Sequence, residues 1–472
     1  MTALWASEGI ASATGGVVGG GTAPADFVAG GVTFDSREVM PGDLFIALKG
    51  EQMDGHAFLP QAFAAGAGGA IVSDAARLPD AAPHVLVADT FAALNDLGRA
   101  ARARMNGTVI GVTGSAGKTG VKEALRLALE RSAPGRVHAS VKSYNNHTGV
   151  PLSLARMPEE SVYGVFEMGM NHPGELTELA ALVRPHVAII TTIASAHRAF
   201  FDSEEAIADA KAEIFTGLEP GGTAILNKDN PHYARLRAAA EAAGVGRIVT
   251  FGLKSTDADV RPLKVATLDV CTSMTADVMG EILTFKIGLP GEHWALNALG
   301  VLAAVKAAGG DLGLAGLALG EMQGLEGRGK RTLFKAGAGQ AMLLDESYNA
   351  NPASMSAALS VLGGFETRRR GRRIAVLGSM KELGDESDGM HAGLVEPIEA
   401  AGVSEAVLVG TEMTALAKAL PTRIPHHHVA TADEALTLLR GMVRADDIVL
   451  VKGSNSVGLG RVVRSLNQQG VE

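Results

Sequence analysis

From about residue 107 onward, short apolar runs alternate with amphipathic stretches. Residues 108–113, TVIGVT, read as a buried strand. The helix predicted over 118–130 carries Val121, Ala124, Leu125, Ala128 and Leu129 on one stripe at helical spacing. The alternation continues with a strand at 163–170, a helix at 175–183, a strand at 186–193, a helix at 203–218 and a strand-like run at 223–229. Short apolar strands divided by amphipathic helices predict a mainly parallel sheet covered on both faces. Residues 260–289 read as a small β-rich section and 291–309 as one long helix. After the polar, glycine-bearing GLEGRGKR at 324–331 a second alternating series begins. Its strand-like runs fall at 341–347, 372–380, 405–410 and 447–454, with a helix over 355–365.

Upstream of residue 107 the pattern is mixed. DLFIAL at 43–48 is strand-like, 58–72 is rich in Ala and Gly, and 93–105 predicts a helix leading into the next unit. Residues 14–31 hold too many glycines for a regular element and read as a flexible loop. The three histidines at 426–428 read as a solvated loop and not a ligand set. A chain of 472 residues suggests about three domains at roughly 150 residues each. The fold class is α/β, in three parts: a small mixed domain over 1–106, a central phosphate-loop-type domain over 107–326, and a Rossmann-like α/β domain over 327–472. Hydrophobic residues at 47% and charged residues at 20% fit a globular chain. The net charge of −9 argues against a nucleic-acid partner while leaving room for a local basic pocket. Cys271 is the only cysteine, which excludes an internal disulfide and a cysteine-only metal cage. No apolar run reaches the roughly 20 residues of a bilayer span, and the N-terminus lacks a basic region followed by an apolar one. These readings predict a soluble, cytoplasmic monomer.

GVTGSAGKTG at 111–120 carries the chemistry. Gly114, Ser115, Ala116, Gly117, Lys118 and Thr119 join a strand to a helix, the context a phosphate-binding loop requires. Glycines let backbone N–H groups converge on a phosphate, and the helix N-terminus adds partial positive charge. Lys118 would reach the outer phosphates of ATP and the Thr119 hydroxyl would hold Mg²⁺. The common spacing of glycine, four residues and Gly-Lys-Thr is not met, because Val112 stands where the first glycine belongs and Gly111 sits one place too early. A plain glycine turn between strand and helix is the alternative.

Glycine, two residues and Gly-Lys-Thr after GVT resembles the loop of the Mur ligases and the related folylpolyglutamate synthetases. Further runs agree: FDSREVMPGDLFIALKGEQMDGH, NNHTGVPLSL, FEMGMNHPGEL, AHRAFFDSEEAIADAKAEIF, DESYNANPASMSAAL and VLGSMKELGDES. As a set, covering most of the chain from about residue 31, they look most like the MurF branch. The resemblance implies an ATP-dependent ligase of peptidoglycan precursor synthesis that joins D-Ala-D-Ala to UDP-MurNAc-tripeptide through an acyl phosphate.

It also implies residue roles. Glu167, His197 and Thr119 would hold Mg²⁺, and Lys118, Lys211 and His197 would serve catalysis. Lys211 would be carbamylated, which needs a neutral amine and therefore burial or a cationic neighbour; the other reading is an exposed helix lysine paired with Glu204 or Glu205. Asn297, Arg328 and Asp345 would contact ATP, and Tyr348 and Asn349 the amine substrate. Asp35, Ser36, Arg37, Asp54, His56, Asn145 and Asn146 would cradle the uridine nucleotide sugar, although Asp-Ser-Arg and Asp-Gly-His equally suit turns. His391 matches a family position without a stated role. Ser379, Asn455 and Thr192 depart from the pattern, which more often has Asp, Arg and Asn there. Other readings are a sibling ligase adding the third amino acid, a folylpolyglutamate synthetase, a phosphate-loop ATPase switch, and a non-catalytic homologue.

Overall fold

The computed structural model describes residues 3–20, 26–50, 53–79, 82–195, 199–367 and 370–470. Three large sheets and a two-stranded pairing of Trp5–Ala6 with Val28–Ala29 organise them. The largest has nine strands in the spatial order Glu281–Ile287, Thr272–Val278, Val260–Thr267, Arg247–Phe251, Thr223–Asn227, Val187–Ile190, Thr108–Thr113, Tyr163–Glu167, Val137–Ala139. Its first three strands pair antiparallel and all other neighbours pair parallel. Alternation along the strands feeds two cores. Ile110, Val112, Val187 and Ile189 face the helices Lys118–Ser132 and Glu292–Ala307, while Val109, Ala188 and Ile190 face the helices Glu175–Val183 and Glu204–Ala212. Two covered faces are the parallel-sheet arrangement that the alternating pattern predicts.

The carboxyl ends of the strands position the site. Thr108–Thr113 lies between Tyr163–Glu167 and Val187–Ile190, with Glu167 opposite Val112 and Ile190 opposite Thr113. Glu167 and the segment after Ile190 therefore flank the loop that starts at Gly114, in the crevice where open α/β sheets bind ligands.

The C-terminal sheet runs Lys330–Ala336, Gly339–Glu346, Ile448–Lys452, Arg373–Gly378, Glu405–Val409, His426–Val429, parallel except for its first hairpin. The three histidines are thus a correction: they form an edge strand whose main chain pairs with Ala406–Val409. The N-terminal sheet runs Val17–Gly19, His84–Leu86, Gly69–Val72, Asp43–Ile46, Gly31–Thr33. Its first strand corrects the loop expected over 14–31, of which 21–25 lie outside the described residues. The glycines there serve close packing: a Cβ on Gly16 would lie 2.5 Å from Val85, and one on Gly19 2.5 Å from His84. The helix expected over 203–218 is Glu204–Ala212 followed by a tighter turn, Glu213–Gly217.

The N-terminal sheet is held to the central one. Trp5 Nε1 donates to Ala155 O at 2.8 Å, and the Arg104 guanidinium lies 4.0 Å above the Trp5 ring. The polar run at 324–331 forms a tight turn in which Leu325 and Arg328 exchange two N–H···O bonds. Among the described residues, no helix is long and apolar enough to cross a membrane.

Candidate active site

The phosphate loop is built from two glycines in the left-handed region, Gly114 (φ 146°) and Gly117 (φ 84°). A Cβ on Gly114 would lie 1.9 Å from Thr191 Oγ1, so a side chain there is sterically excluded. The segment after Ile190 grips the loop. Thr191 Oγ1 donates to Ala116 O at 2.5 Å, Ser115 N donates to Thr192 O at 2.8 Å, and Ala194 N donates to Ser115 Oγ at 3.1 Å. Thr192, one of the departures from the family pattern, thus holds the loop through its backbone carbonyl, and its hydroxyl accepts from Asn230.

Lys118 opens the loop helix, and its ammonium donates back to Gly114 O at 2.7 Å. Burial and the Arg328 charge lower its pKa against the opposing pull of Glu167. One residue on, Thr119 Oγ1 donates to Glu167 Oε2 at 2.8 Å, and Asn145 Nδ2 donates to Glu167 Oε1 at 2.7 Å. The structure thereby brings together a hydroxyl and a buried carboxylate at the strand end, the hard oxygen donors that suit Mg²⁺. Lys122, fully buried in the same helix, donates to Ser140 O and Lys142 O and pairs with Glu123 at 2.6 Å. It fixes the segment that carries Ser143 and Asn145.

Lys211 is 1% exposed, which overturns the exposed-lysine reading. Its helix points it into the interior, and Glu204 instead pairs with His232 and accepts from Ser195. Burial, and then the neighbouring Lys118 charge, hold its pKa well below the ordinary lysine value. A neutral amine is the form that reacts with CO₂. His197 lies outside the described residues.

Ser115, Ala116, Gly117, Lys118, Thr119 and Glu167 line a cavity of about 600 Å³ whose other wall comes from the C-terminal part. Asn351, the N-cap of the helix Pro352–Gly364, reaches across to donate to Ser115 O at 3.2 Å. Arg328 stacks on Tyr348 at 4.3 Å and donates to Ser143 Oγ at 3.0 Å, and Ser143 Oγ lies 3.5 Å from Thr119 Oγ1. Tyr348, Asn349 and Asn455 line the cavity, as do Asn297, Asn145 and Asn146. Lys452, 3% exposed, donates to Asn349 O at 2.9 Å and sits 3.6 Å from Glu346. Asp345 does not line the cavity. Its carboxylate accepts from Gly327 N, Ser347 N and Ser347 Oγ, which anchors the turn bearing Arg328.

The N-terminal candidates stand apart from this cavity. Asp35 accepts from Arg37, whose guanidinium holds its pKa near 2 against the effect of burial. Ser36 donates to Gln61. Ser73 N donates to His56 Nε2, so Nδ1 carries the proton and donates to Asp54 Oδ1 at 2.7 Å. The link inward is Glu38, which pairs with Lys142 and accepts from Tyr144. In the helix Ser387–Ala392 of the C-terminal part, His391 is fully buried: it accepts from Met380 N, and its Nδ1–H donates to Ser387 O. Ser379, also buried, donates to Glu412.

Comparison with known proteins fits this geometry. Residues 112–305 match the Mur ligase middle domain, 330–455 the Mur ligase glutamate ligase domain, and 29–110 the Mur ligase family catalytic domain. UDP-N-acetylmuramoyl-tripeptide–D-alanyl-D-alanine ligase of Escherichia coli K12 is 34% identical over 449 residues, covering 94% of this chain and 95% of that one. The chain belongs to the Mur ligase family. The Bacillus subtilis 168 ligase of the same name is 33% identical, over 92% of this chain and 93% of its own. A crystal structure of MurF from Acinetobacter baumannii superposes with a TM-score of 0.83 at 29% identity, covering 98% and 99% of the two chains. MurF ligase from Thermotoga maritima, solved in complex with ADP, gives a TM-score of 0.76 at 26% identity, covering 93% and 97%. Within this Mur ligase, sequence reasoning missed Glu38, Ser143, Asn351 and Lys452, which act through partners far away in the chain. The N-cap signal of Asn351 before Pro352 was readable, but its second bond to the loop was not.

Proposed function

We propose that this Mur ligase is a MurF-type enzyme that joins D-Ala-D-Ala to the terminal carboxylate of UDP-MurNAc-tripeptide, using ATP. The observation that carries this reading is the convergence of the phosphate loop, the Thr119–Glu167 pair and Arg328 on one cavity walled by two sheets. The tripeptide carboxylate oxygen bonds to the γ-phosphorus of ATP as the bridging P–O bond to ADP breaks. The amine of D-Ala-D-Ala then attacks the acyl carbon, phosphate leaves, and the amine gives up a proton as the amide forms. Phosphoryl transfer needs alignment and charge neutralisation more than a protein nucleophile.

The residues fit ATP and Mg²⁺. The left-handed glycines form a cradle that a Cβ would fill, and the N–H groups opening the loop helix are oriented toward anions. Thr119 and Glu167 would hold Mg²⁺, which supplies charge neutralisation when bound. Lys118 and Arg328 place positive charge where the transferring phosphoryl group develops negative charge. A carbamylated Lys211 would add an anion behind them. The nucleotide sugar spans from the Asp35–Arg37 and Asp54–His56 turns toward Asn145 and Asn146, and the enzyme works as a cytoplasmic monomer.

The test measures phosphate release from ATP and Mg²⁺ with UDP-MurNAc-tripeptide, with and without D-Ala-D-Ala, and weighs the product by mass spectrometry. Release and pentapeptide formation that both need the dipeptide are expected. Release indifferent to both substrates would sink the ligase reading in favour of an ATPase switch.

A further inference from the structure

Gly120 follows the loop and has no backbone reason to be glycine. It lies in the first turn of the helix Lys118–Ser132 and lacks the positive φ of Gly114 and Gly117. A glycine inside a helix is otherwise a poor choice. The reason lies across the cavity: a Cβ at 120 would sit 2.7 Å from Cη2 and 3.2 Å from Cζ3 of Trp294. Only the missing side chain lets the indole lie against the helix.

Trp294 projects from the helix Glu292–Ala307, half-buried, and lines the cavity. Leu127, Leu296, Met322 and Leu325 line it too, while Asn145, Asn146, Asn171 and Glu175 make other parts of the wall polar. One turn along its helix, Asn297 would lie 3.1 Å from a Cβ on Gly117. A ligand whose phosphates rest on Lys118 and Thr119 therefore meets an aromatic face beside the next residue, Gly120. A nucleobase has a π-face to match, and stacking on an aromatic side chain is favourable for any base.

We propose that Trp294 is the platform on which the base of the nucleotide stacks, and that Gly120 exists to place it. This assignment rests on the reading of the cavity as an ATP site. The chain has two tryptophans, and Trp5 is buried against Arg104 and Ala155, outside the cavity. A Trp5→Phe parent thus leaves Trp294 as the sole indole reporter.

Calorimetry and indole emission are followed while this parent is titrated with ADP and, separately, with inorganic tripolyphosphate. ADP should shift Trp294 emission, and tripolyphosphate should bind without doing so. Trp294→Ala should weaken ADP about tenfold and tripolyphosphate by less than twofold, and Trp294→Phe should recover most of the loss. Gly120→Ala, which displaces the ring without removing it, should weaken ADP in the parent but add nothing on top of Trp294→Ala. ADP binding that leaves emission unchanged, or full ADP affinity in a folded Trp294→Ala or Gly120→Ala protein, overturns the assignment alone. Failure of both ADP and tripolyphosphate to bind the parent overturns the nucleotide reading, and the base platform with it.

Discussion

Lys211 shows how one buried side chain carries a chemical demand. An amine that is 1% exposed and close to the Lys118 charge is costly to protonate, which favours the neutral form that takes up CO₂. Lys211→Arg puts a permanent cation there and cannot form a carbamate. It should lower kcat at least about a hundredfold, the scale of losing a preorganised electrostatic group, and should abolish the carbonyl signal that ¹³C-bicarbonate gives with the wild-type protein in NMR. Retained activity would dismiss the carbamate. Ser379 tells a different residue-scale story. Where the family more often has Asp, this chain has a hydroxyl donating to Glu412 at 2.8 Å. Burial pushes the Glu412 carboxyl up, but Lys381, a backbone N–H and Ser379 together hold it at about 2. A folded-state pKa below the unfolded one stabilises the protein above the usual glutamate range, and that contribution fades as pH falls toward 2. Glu412→Gln should therefore cost on the order of 1 kcal/mol near pH 7, after allowance for solvent screening. The gap from wild type should close between about pH 4.5 and 2 in urea unfolding. A gap that widens on acidification would contradict this arrangement.

At the scale of elements, the segment 140–146 ties the parts of the site together. Lys122 fixes its start, Lys142 and Tyr144 reach Glu38 of the N-terminal part, Ser143 meets Arg328, and Asn145 meets Glu167. Glu38→Gln should raise KM for the nucleotide sugar by about two- to fivefold, the range of a partly exposed ion pair, and leave KM for ATP within twofold. Equal effects on both would show that Glu38 supports the fold generally. The phosphate loop and Glu167 were legible in the sequence because glycine spacing and a strand end are local signals. The strand Thr108–Thr113 and the helix Glu175–Val183 fall where periodicity predicts them. Glu38 and Asn351 were not legible, because their partners lie 104 and 236 residues away. Residues 14–31 misled for a related reason: their glycines accommodate Val85 and His84, which only the fold brings near.

On the scale of the whole molecule, the C-terminal part meets the central one, among the described residues, through polar contacts around the loop. These include Asn351 to Ser115, Ala199 N to Glu382 O and Arg328 to Ser143. Asn351→Asp separates the two jobs of that side chain. Aspartate caps the helix Pro352–Gly364 as well as asparagine does but cannot donate to Ser115 O. The variant should melt within a few degrees of wild type, while small-angle scattering shows a larger radius of gyration and turnover falls. An unchanged radius with unchanged turnover would show that the bond does not govern closure. The turn that bears Arg328 belongs mechanically to the C-terminal side. Gly327 N and Gly329 N both donate to Asp345, Tyr348 N donates to Gly327 O, and the guanidinium rests on the Tyr348 ring. Among the described residues, a single bond, to Ser143, holds that guanidinium to the central loops. Any rotation that parts the two sheets therefore carries this positive charge away from the phosphates. If the cavity takes ATP as proposed, the open molecule would be electrostatically incomplete, and idle hydrolysis of ATP would be restrained by the departure of a cation without a separate inhibitory element.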